Sequence, residues 1–157
     1  MPLGIDISSD VIVAYNSEGD ENSIWYGTLG IIPRKNEDFI WDNPRASRTS
    51  NLGPFISLSD AWSCFMDDQT GQGVCKWKSD DGNHQYRGSS DLIADAIRGN
   101  ISDFINQKTF LAIDNHMTEL QQDALLRGLK ISGFIGSELL WRPIAICLYF
   151  LDLAGRD

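Results

Sequence analysis

The sequence predicts an α/β domain in which a three-strand antiparallel meander is extended by parallel strands, with helices packed on the mixed sheet. Three observations predict it. Short apolar runs at the amino end are separated by turn residues, as in LGIDI-SSD-VIVAY. Phe110 to Ile113 is a continuous apolar run, the mark of a strand covered on both faces. Towards the carboxyl end, helical-period segments with recognisable caps alternate with strand-like runs.

Leu3 to Ile7 and Val11 to Tyr15 form the first two strands, joined by a turn at Ser8, Ser9 and Asp10. Ser23 to Ile32, rich in Ile, Trp, Tyr and Thr, reads as one third strand closed by Pro33. The connections are short, which makes an antiparallel meander the economical arrangement. From Arg34 to Gly88 the pattern is broken by Pro44, Pro54, Gly71, Gly73 and Gly82. Phe39 to Trp41 suggests a short strand there, and Leu58 to Phe65 a helix following Ser57. Ser89 or Ser90 caps the next helix, which places Leu92, Ile93, Ala96, Ile97, Ile101, Phe104 and Ile105 on one face.

After the Phe110 to Ile113 strand, Thr118 and Gln121 form a capping box. The helix that follows carries Leu120, Ala124, Leu125 and Leu129 and ends near Gly133, a residue suited to the left-handed position past a helix end. Leu139 to Trp141 is a further strand. Pro143 fits the first turn of the last helix, because its missing N–H has no partner to lose there.

The 157 residues fit a single domain, 1–157. A composition of 42% hydrophobic and 22% charged residues is that of an ordinary globular protein. The net charge of -9 argues against nucleic acid as a partner, since phosphate backbones call for clustered Lys and Arg. The amino end has neither the basic residues nor the apolar length of a secretory leader. The longest apolar run, Ile144 to Leu151, is too short to span a bilayer, so no membrane is expected. Cys64, Cys75 and Cys147 are odd in number and lack CxxC spacing, which points to a reducing, cytoplasmic setting. Cys147 reads as a small hydrophobe of the last helix. Cys64 and Cys75 suit either a metal or a disulfide.

The order and spacing resemble the first lobe of the actin-like ATPase fold found in the seventy-kilodalton heat-shock chaperones, a fold with a ribonuclease H-like core. GIDISSD at Gly4 to Asp10 stands where that family has its phosphate loop, GIDLGTT. QQDALLRGLKISGF aligns without gaps to the family pattern QRQATKDAGKIAGL, sharing Gln121, Ala124, Lys130, Ile131 and Gly133. In the same register WRPIAICLYF falls on NEPTAAALAY and shares Pro143, Ala145 and Leu148. The middle third is unmatched, and no single motif is specific.

The resemblance implies an ATP/ADP site with magnesium in the full-length protein, to which this lobe gives phosphate-side contacts from Asp6, Ser8 and Ser9. Asp6 matches the acid near the metal, held through water. The second lobe and the substrate domain have no counterpart in the sequence. The chain is therefore expected to be a piece of a longer protein, weak or inactive alone, with that second lobe, a client or a co-chaperone as partner.

Several positions depart from the family. Ser8 replaces a glycine whose backbone would lie close to phosphate. Asp10 adds a negative charge beside the phosphate position. Arg142 replaces a glutamate that arranges the catalytic water and metal, and a guanidinium cannot accept a proton or act as a base. Asp114 replaces a proline, and Gln122 an arginine tied to coupling between domains. The catalytic lysine of the family has two candidates, Lys76 and Lys78.

Three readings of function stand side by side. One is the chaperone-like ATP-binding lobe. The second is a degenerate lobe that acts as a protein-interaction module, favoured by Asp10 and Arg142. The third is a ribonuclease H-like, metal-dependent nuclease using Asp6 and Asp114 at neighbouring strand ends. Each residue also has a plainer role: Asp6 as a strand terminator, Asp114 as a turn residue before Thr118, His116 as a surface residue. Arg142 is expected to pair with an acid such as Glu138. Trp25, Tyr26, Trp41, Trp62 and Trp77 are expected to be mostly core, with one or two on a surface that a partner covers.

Overall fold

The computed structural model of the chain describes residues 3–8, 11–16, 24–25, 30–32, 40–42, 56–78, 82–101 and 105–155. Its centre is a mixed five-stranded sheet, flanked by helices. β1 (Leu3–Ile7) and β2 (Ile12–Asn16) pair antiparallel, with Ile5 opposite Ala14, and β2 continues antiparallel to β3 (Ile24–Trp25). On its other side β1 runs parallel to β9 (Thr109–Ile113), and β9 runs parallel to β10 (Ser137–Trp141). The strand order is β10-β9-β1-β2-β3, so β2 alone runs against the rest. This is the predicted meander extended by parallel strands.

The single strand expected over Ser23 to Ile32 is two. Ile24 and Trp25 stay with the main sheet, whereas β4 (Gly30–Ile32) pairs antiparallel with both β5 (Ile40–Asp42) and β6 (Ile56–Ser57) in a separate three-stranded sheet. Composition marks a residue as strand-forming without choosing its partner, and here the run divides between two sheets. A third, two-stranded sheet is the hairpin of β7 (Val74–Lys78) and β8 (His84–Gly88).

Local chemistry accounts for the helices. α1 (Leu58–Asp67) starts with a capping box: the Asp60 N–H donates to Ser57 Oγ at 3.0 Å, and the Ser57 N–H donates to Asp60 Oδ2 at 3.2 Å. It buries Leu58, Ala61, Trp62 and Phe65. α2 (Ser89–Ile101) presents Leu92, Ile93, Ala96 and Ile97 to the core, all of them fully buried. Phe104 lies outside the described residues.

α3 (Glu119–Ile131) begins at the Thr118–Gln121 capping box, with the Thr118 N–H donating to Gln121 Oε1 at 2.8 Å. It is followed by Gly133 at φ +102, where a side chain would be strained. Its inward face is Gln121, Ala124, Leu125, Gly128 and Leu129. Leu120, expected on that face, is 58% exposed, because Gln121 takes the inward position one residue later. The Gln121 side-chain amide donates to the carbonyls of Phe65, Met66 and Asp68, and the Thr118 hydroxyl donates to the Gln69 carbonyl. These bonds dock the start of α3 on the end of α1.

α4 (Arg142–Ala154) follows β10 directly, with Pro143 in its first turn. Unlike the other helices it is covered on few sides: Ile144, Ile146, Leu148, Phe150 and Leu151 are all between 44% and 68% exposed. Cys147, expected to pack as a small hydrophobe, is exposed as well. Of the aromatics expected to be mostly core, Trp62 and Trp77 are buried; Trp141, which was not among them, is half exposed. The side chains of Trp25, Tyr26 and Trp41 lie outside what is described. Among the described residues no helix is long and apolar enough to cross a membrane.

Candidate functional site

The carboxyl ends of parallel strands in an open α/β sheet are where ligands generally bind. Here β1, β9 and β10 end side by side, with Asp6 in register with Ala112 and Ala112 with Leu140. Each strand end delivers one charged residue: Asp6 near the end of β1, Asp114 just past β9, and Arg142 just past β10.

The three meet. The Arg142 Nε–H donates to Asp6 Oδ1 at 3.0 Å, and Nη2 lies 3.0 Å from the same oxygen. Nη2 also donates to the Ile7 carbonyl at 2.8 Å, while Nη1 lies 3.3 Å from Asp114 Oδ2. The guanidinium thus spans both carboxylates and a backbone carbonyl. Its planar fork suits this task better than the point charge of a lysine. The Arg142 side chain is 26% exposed, against 50% for Asp6 and 39% for Asp114. Partial burial pushes the Arg142 pKa down; the hydrogen bond and charge of Asp6, joined by Asp114, more than offset this and hold it above its usual value.

Arg142 pairs with acids as expected, but they are Asp6 and Asp114 and not Glu138, the example the sequence suggests. Glu138 pairs with Lys108 at 2.8 Å. Glu138 lies near the start of β10 and Arg142 just past its end, so about 13 Å of extended chain separates them. Glu138 is therefore at the opposite end of the sheet. The expected approach of Asp6 and Asp114 at neighbouring strand ends is met in a particular form: both contact one guanidinium.

The phosphate-loop candidates are placed as follows. The Ser8 N–H donates to the Val11 carbonyl at 2.9 Å, which closes the β1–β2 turn and commits the amide that a phosphate would need. Ser9 and Asp10 lie outside the described residues. Gln122 donates its side-chain amide to the Met117 carbonyl at 3.0 Å and caps the turn after Asp114. His116 is exposed in that turn. Lys76 lies 5.5 Å from the centre of the Tyr86 ring on the outer face of the β7–β8 hairpin, and Lys78 is exposed beside it.

As a metal centre the site is poor. Asp6 and Asp114 supply carboxylate oxygens of the kind magnesium or calcium takes, but a cation already sits between them. Among the described residues no group of three or more His, Cys, Asp or Glu side chains is arranged to hold a metal ion. A wide cleft of about 560 Å³ lies at the other end of the sheet, where Asn106, Lys108, Gly133, Gly136 and Glu138 line it. Its charged groups neutralise each other through the Lys108–Glu138 pair, and it shares no residue with the Asp6–Arg142–Asp114 cluster.

The cluster is partly visible in the sequence, because Asp6, Asp114 and Arg142 each stand at the end of an expected strand. Three charged residues of opposite sign at three strand ends were the signal. Reading them as a unit required the strand order. No protein-family model and no curated protein matches this chain.

Proposed function

We propose that this chain is a lobe of the actin-like ATPase type in which a structural ion-pair cluster has replaced the nucleotide chemistry, leaving a protein-interaction module. The observation that carries the reading is the Arg142 guanidinium bound to Asp6, Asp114 and the Ile7 carbonyl. A divalent ion or a catalytic water would have to displace a charged, multiply hydrogen-bonded group from its partners. The strand order, with β2 alone reversed, supports the ribonuclease H-like core that the resemblance implies. The apolar surface of α4 supports the interaction role, since contiguous exposed apolar area of this kind marks surfaces that another protein covers. A second lobe, a client or a co-chaperone would each present such a partner.

The nucleotide half of the reading is tested by calorimetric titration of the full-length protein with magnesium-ATP. No heat of binding is expected up to millimolar nucleotide, and saturable binding below that overturns the reading. The interaction half is tested by a photo-crosslinking residue placed at Leu148 in the full-length protein. It is expected to capture a protein neighbour, or another segment of its own chain, that the same residue at Lys76 does not; equal yields overturn it.

A second reading keeps nucleotide binding without hydrolysis. It is favoured by the position of Arg142, a quarter exposed at the strand ends, where a bidentate cation can meet phosphate. ATP or ADP with magnesium, together with Asp6, Ser8 and Ser9, belongs to that reading, and the same titration decides it. The nuclease reading predicts manganese-dependent cleavage that disappears in both Asp6→Ala and Asp114→Ala.

A further inference from the structure

β10 is an edge strand. Among the described residues it pairs with β9 alone, so the backbone N–H and C=O groups that point away from β9 have no ladder partner. Natural sheets usually blunt such an edge with a lysine, a proline, a bulge or a very short strand. β10 has five residues, SELLW, with neither lysine nor proline, and its pairing with β9 runs without a bulge from Ser137 to Trp141. The neighbouring helices flank the edge without closing it. α3 packs on β10, and α4 contacts β9 as well as β10, which sets that helix over the sheet face.

Register sorts the β10 side chains between two faces. Ser137, Leu139 and Trp141 stand opposite Thr109, Leu111 and Ile113, the buried side of β9, whereas Glu138 and Leu140 lie on the other face. A groove of about 510 Å³ runs between β10 and α3, where Glu119, Gln122, Asp123, Leu126 and Leu139 line it. Leu126 and Leu139 are half-buried and give it an apolar floor. Glu119 and Asp123 are exposed, and neither side chain has an ion-pair or hydrogen-bond partner among the described residues. No cation is among the residues that line the groove.

We propose that the β10 edge and this groove receive an extended segment of another protein, which adds to the sheet as a further strand and carries basic side chains at alternate positions. The surface is separate from the exposed face of α4 and does not depend on what covers that helix.

Charge and spacing select the occupant. α3 is the crossover between parallel β9 and β10, so it runs back antiparallel to them. Glu119 and Asp123, four residues apart, are about 6 Å apart along its axis. Side chains at positions i and i+2 of a strand lie about 7 Å apart on one face. Lysine or arginine at two such positions therefore meets both carboxylates. The position between them points to the other face, where Leu140 and the apolar helix α4 favour a hydrocarbon side chain. Main-chain hydrogen bonds to β10 supply affinity, and the alternate side chains supply selectivity. A second copy of this chain fits worse, since it brings the same carboxylates and a net charge of -9.

The test titrates the full chain, by fluorescence anisotropy, with a dye-labelled, end-capped peptide of alternating lysine and valine, about six residues long, the usual length of a strand. Saturable binding below millimolar peptide is expected, weakening as salt is added. Hydrogen exchange is expected to slow at β10 amides when the peptide is bound. Glu119→Gln combined with Asp123→Asn, both at exposed positions, is expected to weaken binding roughly fivefold. The same peptide N-methylated at alternate residues keeps its charge but cannot complete a ladder, and is expected not to bind. The proposal is overturned if no saturable binding occurs, if a glutamate–valine peptide or the N-methylated peptide binds equally, or if the double substitution leaves affinity unchanged. A dimer in sedimentation whose β10 amides are protected without peptide would give the edge to a second copy and overturn it as well.

Discussion

Arg142 Nε donates to Asp6 Oδ1 at 3.0 Å, joining residues 136 positions apart and tying the start of α4 to the end of β1. The bond sets a cation where a metal-dependent enzyme would need an acceptor. Its energetic weight is modest, because the partners are partly exposed and solvent screens them. Arg142→Ala is expected to destabilise the fold by about 1 kcal/mol in urea melts at low salt, and by less than half of that at about 1 M salt. A loss independent of salt would mean that the guanidinium acts through packing alone.

Gln121 carries more. Its side chain is 1% exposed, and its amide serves three carbonyls of the α1 end while Oε1 closes the capping box. Gln121→Leu keeps the bulk but strips partners from buried acceptors and should cost about 2–4 kcal/mol. Thr118→Ala, which removes the cap alone, should cost about 1 kcal/mol. Chemical denaturation of both variants ranks them, and the reverse order would contradict the docking role of Gln121.

Gly71 sits at φ +69, and a Cβ there would meet the Leu120 carbonyl and the Ala124 Cβ, each at 2.8 Å. Conformation and contact act in the same direction. Gly71→Ala is expected to lower stability by roughly 2 kcal/mol or more, whereas Gly82→Ala has open space and only the strain of φ +83 to bear. Thermal melts showing equal losses at the two glycines would remove the steric half of this account.

The Cys75 thiol also sets an alkaline limit. Its pKa is pushed from 9.0 up to about 12, first by burial and then by the neighbouring Cys64. Below pH 9 the thiol is protonated in folded and unfolded chains alike, and it contributes no slope. Above pH 9 the unfolded chain releases this proton while the folded chain retains it, so stability falls as pH rises towards 12. Melting temperatures of the reduced protein and of Cys75→Ala, followed from pH 8 to 11, should converge as pH rises. Parallel curves would refute the assignment.

Substitutions on α4 are expected to separate folding from association. Leu148→Lys with Phe150→Lys alters residues that are 53% and 63% exposed, so stability should change by less than about 0.5 kcal/mol. Crosslinking from a neighbouring α4 position should fall several-fold. A large loss of stability would instead show that the helix packs on its own chain.

Local signals were the ones the sequence displayed. Thr118 with Gln121, Ser57 with its helix, Gly133 at a helix end and Pro143 in a first turn all depend on residues within four positions of each other. The apolar run at 110–113 was legible for the same reason. Partner choice was not, because it follows from register. Glu138 is the acid near Arg142 in sequence, whereas parallel pairing of β10, β9 and β1 carries Arg142 to Asp6 and Asp114. The run at 23–32 divided between two sheets for a related reason, since strand-forming residues do not encode which edge receives them.

The hydrogen bonds from Gln121 to Phe65, Met66 and Asp68 link residues 53 to 56 positions apart. The last carbonyls of α1 therefore stay open to solvent until α3 has arrived. The two helices form one cooperative opening unit, in which amides at the end of α1 exchange with solvent at the rate that α3 undocks. A ribosome that has released only the first hundred or so residues holds a chain whose first helix has no finished end.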